Sequence, residues 1–131
     1  MIKILRLNKK INSFNQEINA PGDKSISIRW VLLASQAKGR SKAYNLLMSE
    51  DVLAAIDSIK KLGIKVRIQK NYCEIFGNGI NGFKYKKNLT IDAKNSGTLG
   101  RLILGLLIKS PNIIKIIGDK SLSKRDFSRV T

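Results

Sequence analysis

Apolar positions along the chain repeat with two different periods, and the order of those periods predicts the secondary structure. Residues 2–7 and 14–19 alternate apolar with polar side chains, which is typical of strands. Residues 26–37 carry apolar side chains at helical spacing, and their helix is expected to end near Gly39. A short strand at 42–47 follows. This alternation of strand and helix favours an α/β fold.

The next stretch contains a second helix between clear start and stop signals. Ser49 is placed to cap this helix, and Glu50 and Asp51 supply two acids for its first turn, where the helix dipole favours negative charge. An apolar stripe at helical spacing follows, closed by Gly63, and consists of Val52, Ala55, Ile56, Ile59 and Leu62. Residues 64–68 and 72–76 predict two further strands, before a turn at 77–79.

The same order of elements recurs at an offset of about 72 residues. Ile18-Asn19-Ala20 is echoed by Ile91-Asp92-Ala93, and each tripeptide precedes a polar loop, an apolar helix with an arginine, and a strand, the second strand at 112–117. We therefore predict an α/β (α+β) fold of repeated β-α-β-α-β-β units, with helices packed on a mixed sheet. The units are 21–83 and 84–131, the second incomplete; the alternative is a short natural domain with an irregular second half.

Charge and composition narrow the function classes. The chain has 25 basic and 9 acidic residues among 131, a net charge of +16, which suggests a polyanionic partner. However, the lysines are spread along the chain, only 6% of residues are aromatic, and the linear order does not interleave rings with cations. We therefore do not expect a dedicated nucleic-acid surface, and a small basic polyanion- or nucleic-acid-binding module stays the alternative function.

The chain contains no histidine and one cysteine, Cys73. Ser-His and Cys-His catalysis are thereby excluded within it, and neither an internal disulfide nor a Cys/His metal site can form. We expect Cys73 to be a plain strand residue, and we expect no metal and no cofactor. No apolar stretch approaches the roughly 20 residues of a membrane helix, so we expect no membrane partner and a cytoplasmic location.

Two polar loops lie where a strand is expected to end and a helix to begin, a position at which free N–H groups bind anions. In the first loop, Gly22 allows close approach of a ligand, Lys24 supplies an ammonium, Ser25 can cap the helix or donate its hydroxyl, and Arg29 follows one turn later. The alternative is an ordinary turn with solvated cations. For Arg29 that alternative is strained, because apolar residues flank it in sequence and an unpaired charge among them is costly.

The second loop is Asn95-Ser96-Gly97-Thr98, with Arg101 one turn into the following helix. It matches neither a P-loop nor a dinucleotide-binding loop, so nucleotide binding is not indicated. A third segment at 118–125 combines a glycine turn with three cations, and a solvated charge run is an equal alternative for it.

Together these segments resemble the 5-enolpyruvylshikimate-3-phosphate (EPSP) synthases. The resemblance covers nearly the whole chain. It rests on four motifs in order: Pro21-Gly22-Asp23-Lys24-Ser25-Ile26-Ser27-x-Arg29, Asn45-Leu46-Leu47-x-Ser49-Glu50-Asp51-Val52, Asn95-Ser96-Gly97-Thr98-x-x-Arg101 and Gly118-Asp119-x-Ser121-Leu122-x-x-Arg125. Ser25, and the absence of a cysteine near the third loop, favour this family over the sister enzyme that acts on UDP-N-acetylglucosamine.

The resemblance implies an activity and a set of roles. The activity is transfer of enolpyruvyl from phosphoenolpyruvate to the 5-hydroxyl of shikimate 3-phosphate with release of phosphate, in the shikimate pathway toward chorismate and the aromatic amino acids. Lys24 is implied to be catalytic and to contact both substrates, while Ser25 and Arg29 hold shikimate 3-phosphate. The residues implied to hold phosphoenolpyruvate are Lys24, Asn95, Gly97, Thr98 and Arg125.

The family's architecture adds further expectations. Its members have two domains, each of three such units, and the resemblance assigns residues 1–20 to strands of the other domain. The resemblance also implies that the complete enzyme is a monomer. This chain would be an N-terminal fragment, inactive alone, with the proton-transfer carboxylates beyond Thr131. Three positions depart from the usual pattern: Ile28 is expected to alter packing only, whereas Lys94 and Asp126 change the charge beside the phosphoenolpyruvate loops.

Overall fold

The computed structural model describes residue 15, residues 17–128 and residue 130. Its elements in chain order are α1 (Lys24–Gln36), β1 (Lys38–Tyr44), α2 (Glu50–Lys61), β2 (Lys65–Ile68), β3 (Tyr72–Asn78), β4 (Thr90–Asp92), α3 (Gly97–Leu107), β5 (Lys115–Ile117) and a short 3-10 helix (Leu122–Lys124). From residue 24 onward, helices and strands therefore follow one another in the predicted order.

Helix α1 begins at Lys24, two residues before the apolar pattern starts, because Asp23 caps it. The Asp23 Oδ1 accepts a 2.7 Å hydrogen bond from the Ile26 N–H. Ser25, considered as a cap from the sequence, therefore lies within the first turn. Beyond the helix, Ala37 is extended, and β1 follows directly.

The other two helices each begin after a serine. Helix α2 follows Ser49 as predicted, with two acids in its first turn and two lysines in its last, so both ends complement the helix dipole. Helix α3 follows Ser96, whose Oγ accepts a 3.3 Å hydrogen bond from the Leu99 N–H. Side-chain oxygens of Asp23 and Ser96 thus cap α1 and α3, the helices that the predicted repeat aligns with each other.

The strands form two sheets within the described residues. Strand β3 is the centre of an antiparallel sheet with the order β1-β3-β2, in which Ala43 and Ile68 both lie opposite Cys73. Strands β4 and β5 form a parallel pair, with Ile91 opposite Ile116. The α/β class is confirmed, although antiparallel and parallel pairing occur in separate sheets instead of one mixed sheet.

Several strand boundaries differ from the apolar pattern. Strand β1 occupies 38–44 instead of 42–47, because pairing with β3 along its whole length draws its polar first residues into the sheet. Strand β3 runs on to Asn78, so the turn follows at 79–82, and β5 is limited to 115–117. The predicted strand at 2–7 lies outside the described residues, and the described part of 14–19 is not in a strand. The boundaries of the repeat units stay a prediction.

The core lies between the helices and the inner faces of the sheets. Helix α1 packs against α2, α3 and β3, and α2 packs against β2 and β4. The largest fully buried side chains come from the three helices, β3 and β4, and include Ile28, Leu32, Ile56, Ile59, Ile75, Ile91, Leu99 and Ile103. Because α1 is anchored on three sides, the loop at its N-terminus is held on a rigid element.

Candidate functional site

Lys24 and Asp51 form an ion pair between the first turns of two helices. The Lys24 Nζ lies 2.9 Å from the Asp51 Oδ2, and the side chains are 55% and 18% exposed. Lys24 is at the N-terminus of α1, whose dipole repels a cation, whereas Asp51 is at the N-terminus of α2, whose dipole favours an anion. The ammonium is therefore held toward α2, while about half of the surface of the Lys24 side chain stays open to solvent.

Arg29 and Ser25 are brought together on the exposed side of α1. The Arg29 Nη1 donates a 2.6 Å hydrogen bond to the Ser25 Oγ, one helical turn earlier. The sequence argument that apolar neighbours bury Arg29 is wrong, because Ile28 and Val31 point into the core while Arg29 is exposed. Its guanidinium is consequently available to a ligand in solution.

The first loop is fixed against the segment between β1 and α2. A β-carbon on Gly22 would lie 2.2 Å from the Asn45 carbonyl oxygen, so only glycine allows this close approach. The Asn45 Nδ2 donates to the Ala20 carbonyl at 3.2 Å, and the Leu47 N–H donates to the Ser27 Oγ at 3.1 Å. The second sequence motif therefore supports the first loop.

Asn95 and Arg125 meet across the second and third segments. The Arg125 Nη2 donates a 2.6 Å hydrogen bond to the Asn95 Oδ1. The carbonyl of Lys94 also accepts from the Asp119 N–H at 2.9 Å, which ties the two segments through their main chains. Because asparagine is neutral, this contact orients the arginine without cancelling its charge.

Two guanidinium groups converge on Gly97 at the start of α3. A β-carbon there would lie 2.9 Å from the Nη1 atoms of both Arg101 and Arg125. Arg101 also donates to the Gly97 carbonyl at 3.4 Å and to the Asp126 carbonyl at 2.8 Å, and it stacks on the Phe127 ring. Among the residues that the structure describes, neither arginine forms an ion pair with a carboxylate. This helix N-terminus thus combines backbone donors with two cations, which suits an anion.

The two charge departures noted in the sequence have different local partners, an opposite charge for Lys94 and a neutral serine for Asp126. Lys94 adopts a left-handed conformation with φ of 52°, and its Nζ lies 2.8 Å from the Asp92 Oδ2. This hydrogen bond raises the pKa of Lys94 and lowers the pKa of Asp92. The Asp126 carboxylate accepts hydrogen bonds from the N–H and the hydroxyl of Ser128, which lower its pKa, and the positive charge of Arg101 lowers it further.

The predicted site residues thus form two groups, Lys24 with Ser25 and Arg29, and Asn95 with Gly97 and Arg125. Within the described part of the chain, no hydrogen bond or ion pair joins one group to the other. Glu50, next to Asp51, contributes to the raised pKa of Lys94, so the start of α2 is within electrostatic range of the second loop. Thr98 lies half-buried in the first turn of α3.

Sequence reasoning missed three functional or structural partners. It recognised Asp51 as a first-turn acid but not as the partner of Lys24, and it placed Arg101 in a motif without assigning it to the anion site. It also missed Glu74, which is 3% exposed and lies between Arg40 and Arg67. For Asp51, the sequence offered one indication, the two acids at the start of a predicted helix. The roles of Arg101 and Glu74 depend on tertiary contacts, which the sequence does not show.

The outer face of the antiparallel sheet gathers cations and aromatic rings that are distant in sequence. The Lys42 Nζ lies 3.8 Å from the centroid of the Tyr72 ring and 4.9 Å from that of Tyr44. On the other side of β3, Lys65 and Arg67 lie over the Phe76 ring, at 5.5 and 5.8 Å. The interleaving that the linear order lacks is therefore present on this folded surface.

Cys73 lies in the central strand and faces the core. It is 1% exposed, and burial raises the pKa of its thiol. A buried thiol of raised pKa is a poor nucleophile, which agrees with its expected role as a plain strand residue. Among the described residues, no helix is long and apolar enough to span a bilayer.

Comparison with known proteins gives one consistent result. The family model described as EPSP synthase (3-phosphoshikimate 1-carboxyvinyltransferase) matches residues 8–131. The 3-phosphoshikimate 1-carboxyvinyltransferase of Streptococcus mutans is 39% identical over 127 residues, which cover 97% of this chain and 30% of the relative. That of Bacillus cytotoxicus is 42% identical over 123 residues, covering 94% of this chain and 29% of the relative.

Solved structures agree with the sequence relatives. The EPSP synthase from Acinetobacter baumannii superposes with a TM-score of 0.75 at 33% sequence identity, covering 86% of this chain and 26% of that chain. The chain therefore spans less than a third of the length of the relatives it matches.

Proposed function

The chain belongs to the EPSP synthase family, and on that premise we propose that it supplies part of the substrate cleft of an enzyme that transfers enolpyruvyl from phosphoenolpyruvate to the 5-hydroxyl of shikimate 3-phosphate. The observation that carries this proposal is the pair of guanidinium groups at Gly97, which lack carboxylate partners among the described residues. Two substrates that each carry a phosphate require such uncompensated cations.

The two groups of residues are assigned to the two substrates. Ser25 and Arg29, joined by a hydrogen bond on the exposed side of α1, hold shikimate 3-phosphate. Asn95, Gly97, Thr98 and Arg125 hold phosphoenolpyruvate at the N-terminus of α3, where free N–H groups add to the charge of the arginine. Lys24 contacts both substrates, and Arg101 contributes its charge to the second group.

The reaction requires charge stabilisation at each step. The 5-hydroxyl oxygen bonds to the central carbon of phosphoenolpyruvate, the hydroxyl proton is lost, and the methylene carbon gains a proton. The tetrahedral intermediate then loses phosphate and a methyl proton, which restores the double bond. In this chain, Lys24 and Arg125 orient the two anions and stabilise the phosphate as it leaves.

The proposal is tested by titrating the isotopically labelled chain with each substrate and following its amide signals. Shikimate 3-phosphate is expected to shift signals at 22–29, and phosphoenolpyruvate those at 95–98 and 118–125. Shikimate, which lacks the phosphate, is the matched control and is expected to shift them far less. We expect no phosphate release by this chain alone. Absence of a response to both substrates, or turnover by the chain itself, would contradict the proposal.

We also propose that the complete enzyme is a monomer in the cytoplasm. Both substrates carry several charges and do not cross a bilayer unaided, so the enzyme has to work where they are made. The expectation of a monomer rests on the family resemblance. Light scattering of the purified complete enzyme checks the mass, and a dimer that persists on dilution would contradict it.

A second candidate function, polyanion binding, is favoured by the outer face of the antiparallel sheet. There Lys42 and Arg67 lie among three aromatic rings on a chain of net charge +16. Fluorescence anisotropy with single-stranded and duplex nucleic acid over a range of salt concentrations tests it. Lys42→Glu is expected to weaken binding more than Lys109→Glu, which makes the same charge change at an exposed position outside the sheet. Equal losses of affinity in the two variants would mean that the nucleic acid responds to the net charge of the chain and not to this sheet face.

A further inference from the structure

We propose that Asp51 is a positioning residue for Lys24, and this inference rests on the function proposed above. The ion pair joins a flexible, half-exposed ammonium to a carboxylate that is 18% exposed and belongs to a helix. Lysine carries its charge on a mobile stem, and the dipole of α1 directs the ammonium away from the helix start. The Asp51 carboxylate, fixed on the neighbouring helix, attracts the ammonium and holds the mobile stem in one direction.

The ion pair is not needed to bring its two helices together. Helix α1 packs directly against α2. The close approach of Gly22 to Asn45, the Asn45–Ala20 hydrogen bond and the Ser27–Leu47 hydrogen bond also fix the first loop against the segment between β1 and α2. Because these contacts are independent of Asp51, removal of its charge is expected to leave the loop in place. The carboxylate therefore acts on the direction of Lys24, not on the fold.

The sign of the effect separates positioning from simple electrostatics. A carboxylate near an anion site repels the ligand, so its removal would by itself tighten anion binding. If Asp51 orients Lys24, its removal weakens binding instead, because the lysine then has to be ordered when the ligand arrives. The two explanations predict opposite changes in one measurement.

The test measures the affinity of the chain for shikimate 3-phosphate by titration calorimetry. Asp51→Asn is expected to bind about fivefold more weakly, and Asp51→Glu to recover part of the loss. Glu50→Gln is the matched control, since it removes an exposed acid from the same helical turn, and it is expected to bind equally or more tightly. In a Lys24→Met background, Asp51→Asn is expected to bind equally or more tightly, because only the repulsion between the carboxylate and the ligand is then removed.

Unchanged or tighter binding by Asp51→Asn would overturn the inference, and so would an equal loss in the Lys24→Met background. A second measurement needs no ligand: the Lys24 ammonium protons, observed by nitrogen–proton NMR, are expected to exchange with water faster in Asp51→Asn than in the unaltered chain. No difference in exchange would overturn the positioning role. Lack of binding by the unaltered chain, with the exchange difference present, would contradict only the proposed function.

Discussion

The Arg125 guanidinium donates a 2.6 Å hydrogen bond to the side-chain oxygen of Asn95, which immediately precedes the residue that caps α3. The contact joins two segments that are distant in the sequence, and it uses a neutral acceptor. An amide at this position fixes the direction of the arginine side chain, whereas a carboxylate would also neutralise the positive charge of the arginine. The neutral asparagine therefore leaves the positive charge of Arg125 uncompensated at the site that we propose for phosphoenolpyruvate.

Asn95→Asp is expected to weaken phosphoenolpyruvate binding about tenfold, because the new carboxylate pairs with Arg125 and repels the ligand. Asn95→Ala, which only frees the arginine, is expected to have a smaller effect. Titration of the two variants in the same buffer checks the order. Tighter binding by Asn95→Asp would mean that Arg125 does not contact this ligand.

Gly22→Ala is expected to destabilise the chain by about 1–3 kcal/mol, because the new methyl group would collide with the backbone at Asn45 and Leu47. Gly105→Ala is the control: it lies exposed within α3 with open space around it, and is expected to stabilise by about 0.5–1 kcal/mol. Urea unfolding curves give both values. A destabilisation of Gly22→Ala no larger than 0.5 kcal/mol would show that the loop moves freely.

Lys94→Gly and Lys94→Ala both lose the ion pair with Asp92, but only glycine relieves the left-handed backbone at this position. The glycine variant is therefore expected to melt about 3 °C above the alanine variant. Thermal unfolding followed by circular dichroism measures the difference. Equal melting temperatures would indicate that the loop adopts another conformation in solution.

Asp92 makes stability depend on pH in the acid range. Its folded pKa lies below the ordinary value of 3.8, chiefly because of the side-chain hydrogen bond from Lys94. The folded state consequently holds this proton less tightly, and the contribution of Asp92 to stability is full above about pH 5 and is lost as the pH falls through the folded pKa.

Asp92→Asn is therefore expected to flatten the decline of the urea midpoint below about pH 5. Asp57→Asn, which removes an exposed carboxylate of α2, serves as the control for a change of one charge. A decline as steep in Asp92→Asn as in the unaltered chain would contradict the assigned role of Asp92.

Helix positions were predictable from sequence because their signals are local. The two acids and the apolar stripe that ends at Leu62 are local signals, and the structure places the helix at Glu50–Lys61. Ser49 precedes it as predicted, but its side chain makes no capping hydrogen bond. Strand ends were less predictable, since β1 begins among polar residues that only the register with β3 draws into the sheet. The start of α1 was misplaced because Asp23, not Ser25, caps it.

The sequence by itself determined the order of the helices and of most strands, because each depends on residues close together in the chain. The repeat and the anion-binding role of the loops stay predictions from the sequence. Tertiary structure alone decided the partners of those residues: Asp51 for Lys24, Asn95 for Arg125, and the grouping of Lys42, Tyr72 and Arg67 on one sheet face. The physical reason is that charge and hydrogen-bonding act over a few ångströms in space. Which side chains come within that range is set by how helices and strands pack, and the linear order does not contain it.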